Sequence, residues 1–206
     1  MAEVKLTKNE LRQQQHRLTQ LEKYLPTLQL KKAMLQSEVS EARQEILHLE
    51  DNFTKLRNAV AGYSALFLDT SAIDIKHAAK IVEIKKRFEN IAGVEVPYFE
   101  SVQFEPYDYN LFDTPPWVDS AIAKLRAAAE GGAAIEVAKE KKQALEKELR
   151  EVSIRVNLFE KILIPRALKN IKTIKVFLGD QQLAAVSQAK VAKTKIEERA
   201  KERRCA

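Results

Sequence analysis

From Leu11 onward, apolar residues recur at steps of three and four positions. One set of positions runs Leu11, Leu18, Leu25, Lys32, Val39, Ile46, Phe53, Val60, Phe67. The interleaved set runs Gln14, Leu21, Leu28, Leu35, Ala42, Leu49, Leu56, Tyr63. Only Lys32 and Gln14 interrupt the apolar stripe. A 3.5-residue repeat held for about eight heptads is the signature of a coiled coil. At helical rise such an arm would be on the order of 85 Å long, which no compact domain of this size accommodates.

A second stripe begins near Ala133 and uses Ala138, Lys142, Leu145, Leu149, Val152, Val156, Phe159 and Leu163. It resumes at Ala167, Ile171, Ile174 and Leu178. From Phe159 to Ile171 the steps are all fours, a stutter that should locally unwind a supercoil. Pro165 falls inside this interruption. A proline there removes one backbone hydrogen bond and crowds the preceding turn.

Between the arms the pattern changes. "DTSAID" breaks the first arm, with Ser71 as a helix N-cap and Asp74 three residues on. Ile81, Ile84, Phe88 and Ile91 then predict a short helix over about 72–91. The stretch from Gly93 to Trp117 holds four of the six prolines and is rich in Val, Phe and Tyr. It predicts a short, irregular β-hairpin or extended loop at about 93–116. Pro115 and Pro116 suit the start of a helix over 117–129, which Gly131-Gly132 would end.

The expected fold is therefore all-α, a long antiparallel two-helix coiled coil with a short irregular β-hairpin and helical segment at the turn end. The expected organisation is an N-terminal arm over 1–70, a turn-end segment over 71–132 and a C-terminal arm with a basic tail over 133–206. Pairing the arms removes both apolar stripes from water. Setting Phe67 opposite Ala138 would bring Pro26 near Gly179, and Pro26, Pro165 and Gly179 are expected to bend the pair gently without breaking it.

The charges are segregated. Every charged residue from Glu89 to Asp119 is acidic, while Lys190, Lys193, Lys195, Arg199, Lys201, Arg203 and Arg204 outnumber Glu197, Glu198 and Glu202 at the other end. The acidic stretch reads as a solvated loop or as a docking surface for a basic partner, and Trp117 as a packing residue at its base. The basic end reads as a solvated tail or as a face for an acidic partner or nucleic acid. The one cysteine, Cys205, cannot form an internal disulfide and suggests a reducing compartment. No apolar run is long enough to span a membrane. The opening MAEVKLTKNELRQQQ has no apolar core and does not read as a signal peptide.

Patterns that carry chemistry are missing from the sequence. None of Gly62, Gly93, Gly131, Gly132 or Gly179 precedes a lysine, as a phosphate-cradling loop requires. There is no His-Glu-x-x-His and no Gly-x-Ser-x-Gly. His16, His48 and His77 are far apart and read as ordinary helix residues. The expectation is a mechanical part with no catalytic, cofactor-binding or metal-binding residues of its own.

Three stretches point to a family: "LTKNELRQQQHRLTQLEKYLPTLQLKKAMLQSEV", "NIAGVEVPYF" and "RVNLFEKILIPRALKNIKTIKVFL". Together they resemble the D subunit of V-type (vacuolar and archaeal-type) ATPases and ATP synthases, most closely around Arg155, Val156, Asn157, Ile164, Pro165 and Ile171–Ile174. The resemblance implies the central rotor shaft that couples ATP hydrolysis or synthesis in a head to ion translocation at the membrane. It implies as partners the catalytic-head subunits, a small companion on the stalk known as the F subunit, and a membrane-side rotor socket. It also implies a cytoplasmic location, peripheral to the membrane and without direct insertion. On this reading both termini enter the head, and Lys8, Arg12, Lys190, Lys193, Lys195 and Arg199 meet its acidic loops. The sequence departs from the family at "GDQQLAAVSQAKVAKTK", where many members carry a Glu/Arg-rich run.

Two other readings of the residues stay open. Coiled-coil arms with basic faces can grip RNA through its phosphates, although no aromatic platform accompanies the basic tail. A coiled-coil scaffold or chaperone would fit the same heptads.

Overall fold

The computed structural model describes residues 5–64, 75–109 and 114–205, with backbone only at 75, 76 and 201–205. The expected cap at Ser71 and the seam residue Phe67 lie outside the described residues. The order of elements is α1 (Lys8–Ala61), α2 (Ile75–Ala78), β1 (Ile81–Ile91), β2 (Val94–Phe104) and α3 (Val118–Leu158). A π-helical turn, Phe159–Leu163, then leads into α4 (Ile164–Cys205). The fold is thus mostly helical, with one small antiparallel sheet.

Helix α1 starts with a cap that its sequence spells out. The Glu10 backbone N–H donates to Thr7 Oγ1 at 3.3 Å, and the Leu11 N–H donates to the Thr7 carbonyl. Thr-x-x-Glu is the capping-box pattern, but here the Glu10 carboxylate accepts from Gln14 one turn on. Helix α1 continues through Pro26 without interruption, because a single lost hydrogen bond is outweighed by the buried face.

The chain forms two compact units, Leu30–Ser153 and Met1–Gln29 with Ile154–Ala206. In the first unit the seam contains Leu35, Val39, Ala42 and Ile46 from α1, with Ala138, Leu145 and Val152 from α3, all buried. These are predicted seam positions. Lys142 differs from expectation: it is half-exposed and pairs with Glu146, while its neighbour Lys141 is buried.

The pairing register corrects the expected one. Setting Phe67 opposite Ala138 would put Lys141 level with Ser64, yet Lys141 bonds Glu45. Lys31 meets Glu148 at 2.9 Å, Arg43 meets Glu146 at 2.8 Å and Lys139 meets Glu50 at 3.0 Å. These cross-pairs run antiparallel. Gly131-Gly132 does not end a helix either; both sit inside α3 beside Phe53. Burial of Ala133, Ala134, Ile135 and Val137 just beyond them overrides the poor helix propensity of glycine.

The stretch expected as a helix over 72–91 is strand from Ile81 onward, so the hairpin spans Ile81–Phe104 and the expected 93–116 span begins too late. Ile91 pairs with Val94 around a two-residue turn. Both turn residues have positive φ, Ala92 at 51° and Gly93 at 83°, as the tight hairpin turn that matches strand twist requires. Asn90 Oδ1 accepts the Gly93 N–H at 2.9 Å. At the base of the hairpin, Ala78, Val118 and Ile122 form a small core covered by Tyr107, Tyr109 and Trp117.

In the second unit Leu21, Val156, Ala167, Ile171 and Ile174 are buried. The phase break expected between Phe159 and Ile171 contains a π turn at Phe159–Leu163, in which the Ile164 N–H donates to the Phe159 carbonyl. The π turn lies immediately before Pro165, where widening the helix makes room for the proline ring against the preceding turn. The expected approach of Pro26 to Gly179 is not formed: Gly179 lines a shallow depression with Lys8, Leu11, Lys175 and Leu178.

Candidate functional site

The α4 segment Asp180–Ala200 stands out in the second unit because each of its residues is exposed. Upstream, α4 buries Ala167, Ile171 and Ile174, and Lys8 and Leu11 at the start of α1 lie beside Lys175–Ala185. Since α1 starts there, α4 runs on for roughly 20 Å past the start of α1, and each residue of Asp180–Ala200 is exposed among the described residues. Leu183, Val186, Val191 and Ile196 are all more than half exposed.

Each cation singled out in the sequence is exposed: Lys8, Arg12, Lys190, Lys193, Lys195 and Arg199. The structure does not gather them into one patch. Lys8 sits level with Gln181 and Gln182, and Lys190 follows more than two turns later along α4. At roughly 100° per residue, Lys190 and Lys193 share one side of the helix, and Lys195 and Arg199 point to the other. Lys193 reaches Glu197 at 3.8 Å. The cations therefore ring the helix, a distribution that suits a surrounding partner better than a flat one.

Pro26 lies within α1, Pro165 is the second residue of α4, and α4 continues through Gly179. An added Cβ at Gly179 would meet nothing within 4 Å.

The ladder of charges across the helix pair escapes sequence reasoning, since its partners become visible only once the register is known. Arg43 hydrogen-bonds Glu146 and holds its carboxyl below the usual glutamate range. Lys141 is the one buried charged residue among those described. Burial works against its charge, but its hydrogen bond to Glu45 and the neighbouring Tyr98 outweigh that cost and raise its affinity for the proton. The same ammonium lies 4.0 Å above the Tyr98 ring.

The acidic stretch is partly neutralised by its neighbours. Glu105 pairs with Lys80 at 2.9 Å, which lowers its pKa, and Glu89 pairs with Arg87. Tyr109 donates to Asp119, which pushes the phenol pKa up. His16 and His48 each hydrogen-bond a residue one turn along α1, Gln20 and Asn52. Among the described residues, no three His, Cys, Asp or Glu side chains could share a metal ion. No described helix is long and apolar enough to cross a membrane.

Comparison with known proteins agrees with this architecture. The family described as the ATP synthase D subunit matches residues 10–194. The V-type ATP synthase D subunit of Chlamydia abortus is 43% identical over 206 residues, covering 100% of this chain and 99% of that one. The D subunit of Chlamydia felis is 42% identical with the same coverage. That of Chlamydia pneumoniae is 42% identical over 196 residues, covering 95% and 94%. The match extends over both helical arms and the hairpin between them, and the chain belongs to the D subunit family of V-type ATP synthases.

Proposed function

We propose that this subunit of a V-type ATPase is its central rotor shaft, coupling ATP hydrolysis or synthesis in the head to ion translocation at the membrane. The observation that carries this reading is the exposed helix Asp180–Ala200, which continues past the start of α1 with apolar and basic side chains on all sides. A helix entering the bore of a ring meets protein all round. It needs small side chains to pass and dispersed charge to be attracted without locking. Ala184, Ala185, Ala189 and Ala192 supply the former, and Lys190, Lys193, Lys195 and Arg199 the latter.

The head subunits are the partners of that segment, and the small F subunit binds elsewhere on the shaft. The hairpin end engages the membrane-side socket. The subunit is cytoplasmic and peripheral, and it catalyses nothing itself. Torsional stiffness comes from the interlocked seam of the helix pair, and Pro26, Pro165 and Gly179 give it a gentle bend.

A photo-crosslinker placed at Ser187 in the assembled complex tests the reading. Crosslinks to the nucleotide-binding head subunits are expected. Crosslinks confined to membrane-side subunits, or recovery of the chain from native membranes without head subunits, would overturn it.

A further inference from the structure

The β1–β2 hairpin is held against the helix pair of its unit largely by long side chains. Lys86 reaches Glu140 of α3 at 2.6 Å. Lys31 of α1 places its ammonium 3.8 Å from where a Cβ on Gly93 would sit, at the tip of the turn. Between these two points Lys141 of α3 is the central contact. It donates to Glu45 of α1 at 2.9 Å and lies under the Tyr98 ring of β2 at 4.0 Å. One buried ammonium thus ties α1, α3 and the hairpin together. The apolar part of the docking surface is small: Val96, two residues from Tyr98 and so on the same face of β2, is fully buried.

The outer side of the hairpin makes no comparable seal. Val82 and Phe88 are mostly exposed. Beyond the β1–β2 ladder, the Glu105 N–H donates to the Lys80 carbonyl and closes the open end of the hairpin. A two-stranded hairpin is marginal in water by itself, so this one persists because it is docked. Its docking rests on a few charged contacts, whereas the helix pair rests on a continuous apolar seam. The two are therefore separable in stability.

We propose that the hairpin is a strap latched to the helix pair by Lys141, and that it opens as a local unit while the helices stay paired. Opening breaks the contact of Lys141 with Tyr98 and the pair Lys86–Glu140, and it uncovers Val96. The pair Lys141–Glu45 lies wholly within the helices and survives opening. Lys141 is thus a positioning residue for the strap.

Hydrogen exchange on the full chain tests this with two variants. Tyr98→Leu removes the ring and leaves Lys141–Glu45 intact, so helix pairing should be undisturbed. Lys141→Met removes both contacts while keeping an unbranched side chain one atom shorter. In Tyr98→Leu, the ladder amides of β1 and β2 should exchange about tenfold faster, while α1 and α3 amides near Glu45 and Lys141 stay within about twofold. Lys141→Met should accelerate the hairpin at least as much. Tyr98→Phe, which keeps the ring, should leave hairpin exchange unchanged. Hairpin exchange that is unaltered in Tyr98→Leu would overturn the proposal. So would equal acceleration of hairpin and helix amides, since the hairpin would then open only with the whole unit.

Discussion

Lys141 and Glu45, 96 positions apart in the chain, meet across the helix pair with the ammonium 2.9 Å from the carboxylate. The lysine is almost fully covered, with 9% of its side chain exposed, while the carboxylate keeps a wet side at 44%. Removing the carboxylate leaves a covered charge with an aromatic face and little else. Glu45→Ala should therefore cost about 1–2 kcal/mol of stability, tempered by water reaching the vacated side. Arg43→Ala breaks an exposed pair with Glu146 and should cost less than about 0.5 kcal/mol. Urea denaturation of both variants checks the ranking, and equal losses would contradict it.

Gly131 lies within α3 with a negative φ, where an added Cβ would meet Leu56 and Phe53 at 3.5 Å, an ordinary contact. Gly131→Ala should therefore stabilise the protein by about 0.5–1 kcal/mol, through reduced freedom of the unfolded chain and better helix propensity. A lower thermal midpoint would show that the glycine is needed for close approach.

Acid should weaken the fold. Glu146 is held below its ordinary pKa of 4.5 by the Arg43 hydrogen bond first, and Glu105 by that of Lys80. A depressed carboxyl pKa in the folded state means that the unfolded state binds protons first as pH falls. The contribution is complete above the ordinary glutamate range and is lost as pH drops through the folded values. Thermal midpoints should fall on acidification from that range downward, and Arg43→Ala should flatten the share due to Glu146. A midpoint that rises with acid would contradict the assignment.

Reversing charge at Lys193 and Lys195 together tests the role of the exposed α4 segment. Both side chains are exposed, so helix content should be unchanged. Torque per ATP in the assembled complex should fall, and the deficit should shrink as salt screens the interaction. Unchanged torque at low salt would remove charge attraction from the account.

The seam of the helix pair is legible in the sequence because it depends only on local periodicity. Leu21, Leu35, Val39, Ala42 and Ile46 are buried where the heptads put them. The register is not legible. Sliding one arm by whole heptads keeps apolar facing apolar, so Leu and Ala positions cannot say which heptad meets which. Long-range pairs such as Lys31–Glu148 and Lys139–Glu50 distinguish the alternatives, and they exist only once the arms are paired.

Strand β1 misleads for a different reason. Ile81, Ile84, Phe88 and Ile91 have helical spacing, but register shifts fall between Ile81 and Glu83 and between Lys85 and Lys86. The first places its extra residue, Val82, in β1 and turns a two-residue alternation into the step of three from Ile81 to Ile84, which imitates a helix, while the second places its extra residue, Glu100, in β2. The π turn is half legible: the run of four-residue steps and Pro165 mark the place, and the structure supplies the form. The uncovered end of α4 is signalled only by its charge, because nothing in Asp180–Ala200 tells a reader how far the other arm extends.

The central claim is that this subunit turns. With the catalytic head of the assembled complex fixed to a surface and a probe attached to this chain at its hairpin end, ATP should drive the probe round in one direction. A probe that stays fixed relative to the head while ATP is hydrolysed would contradict the account.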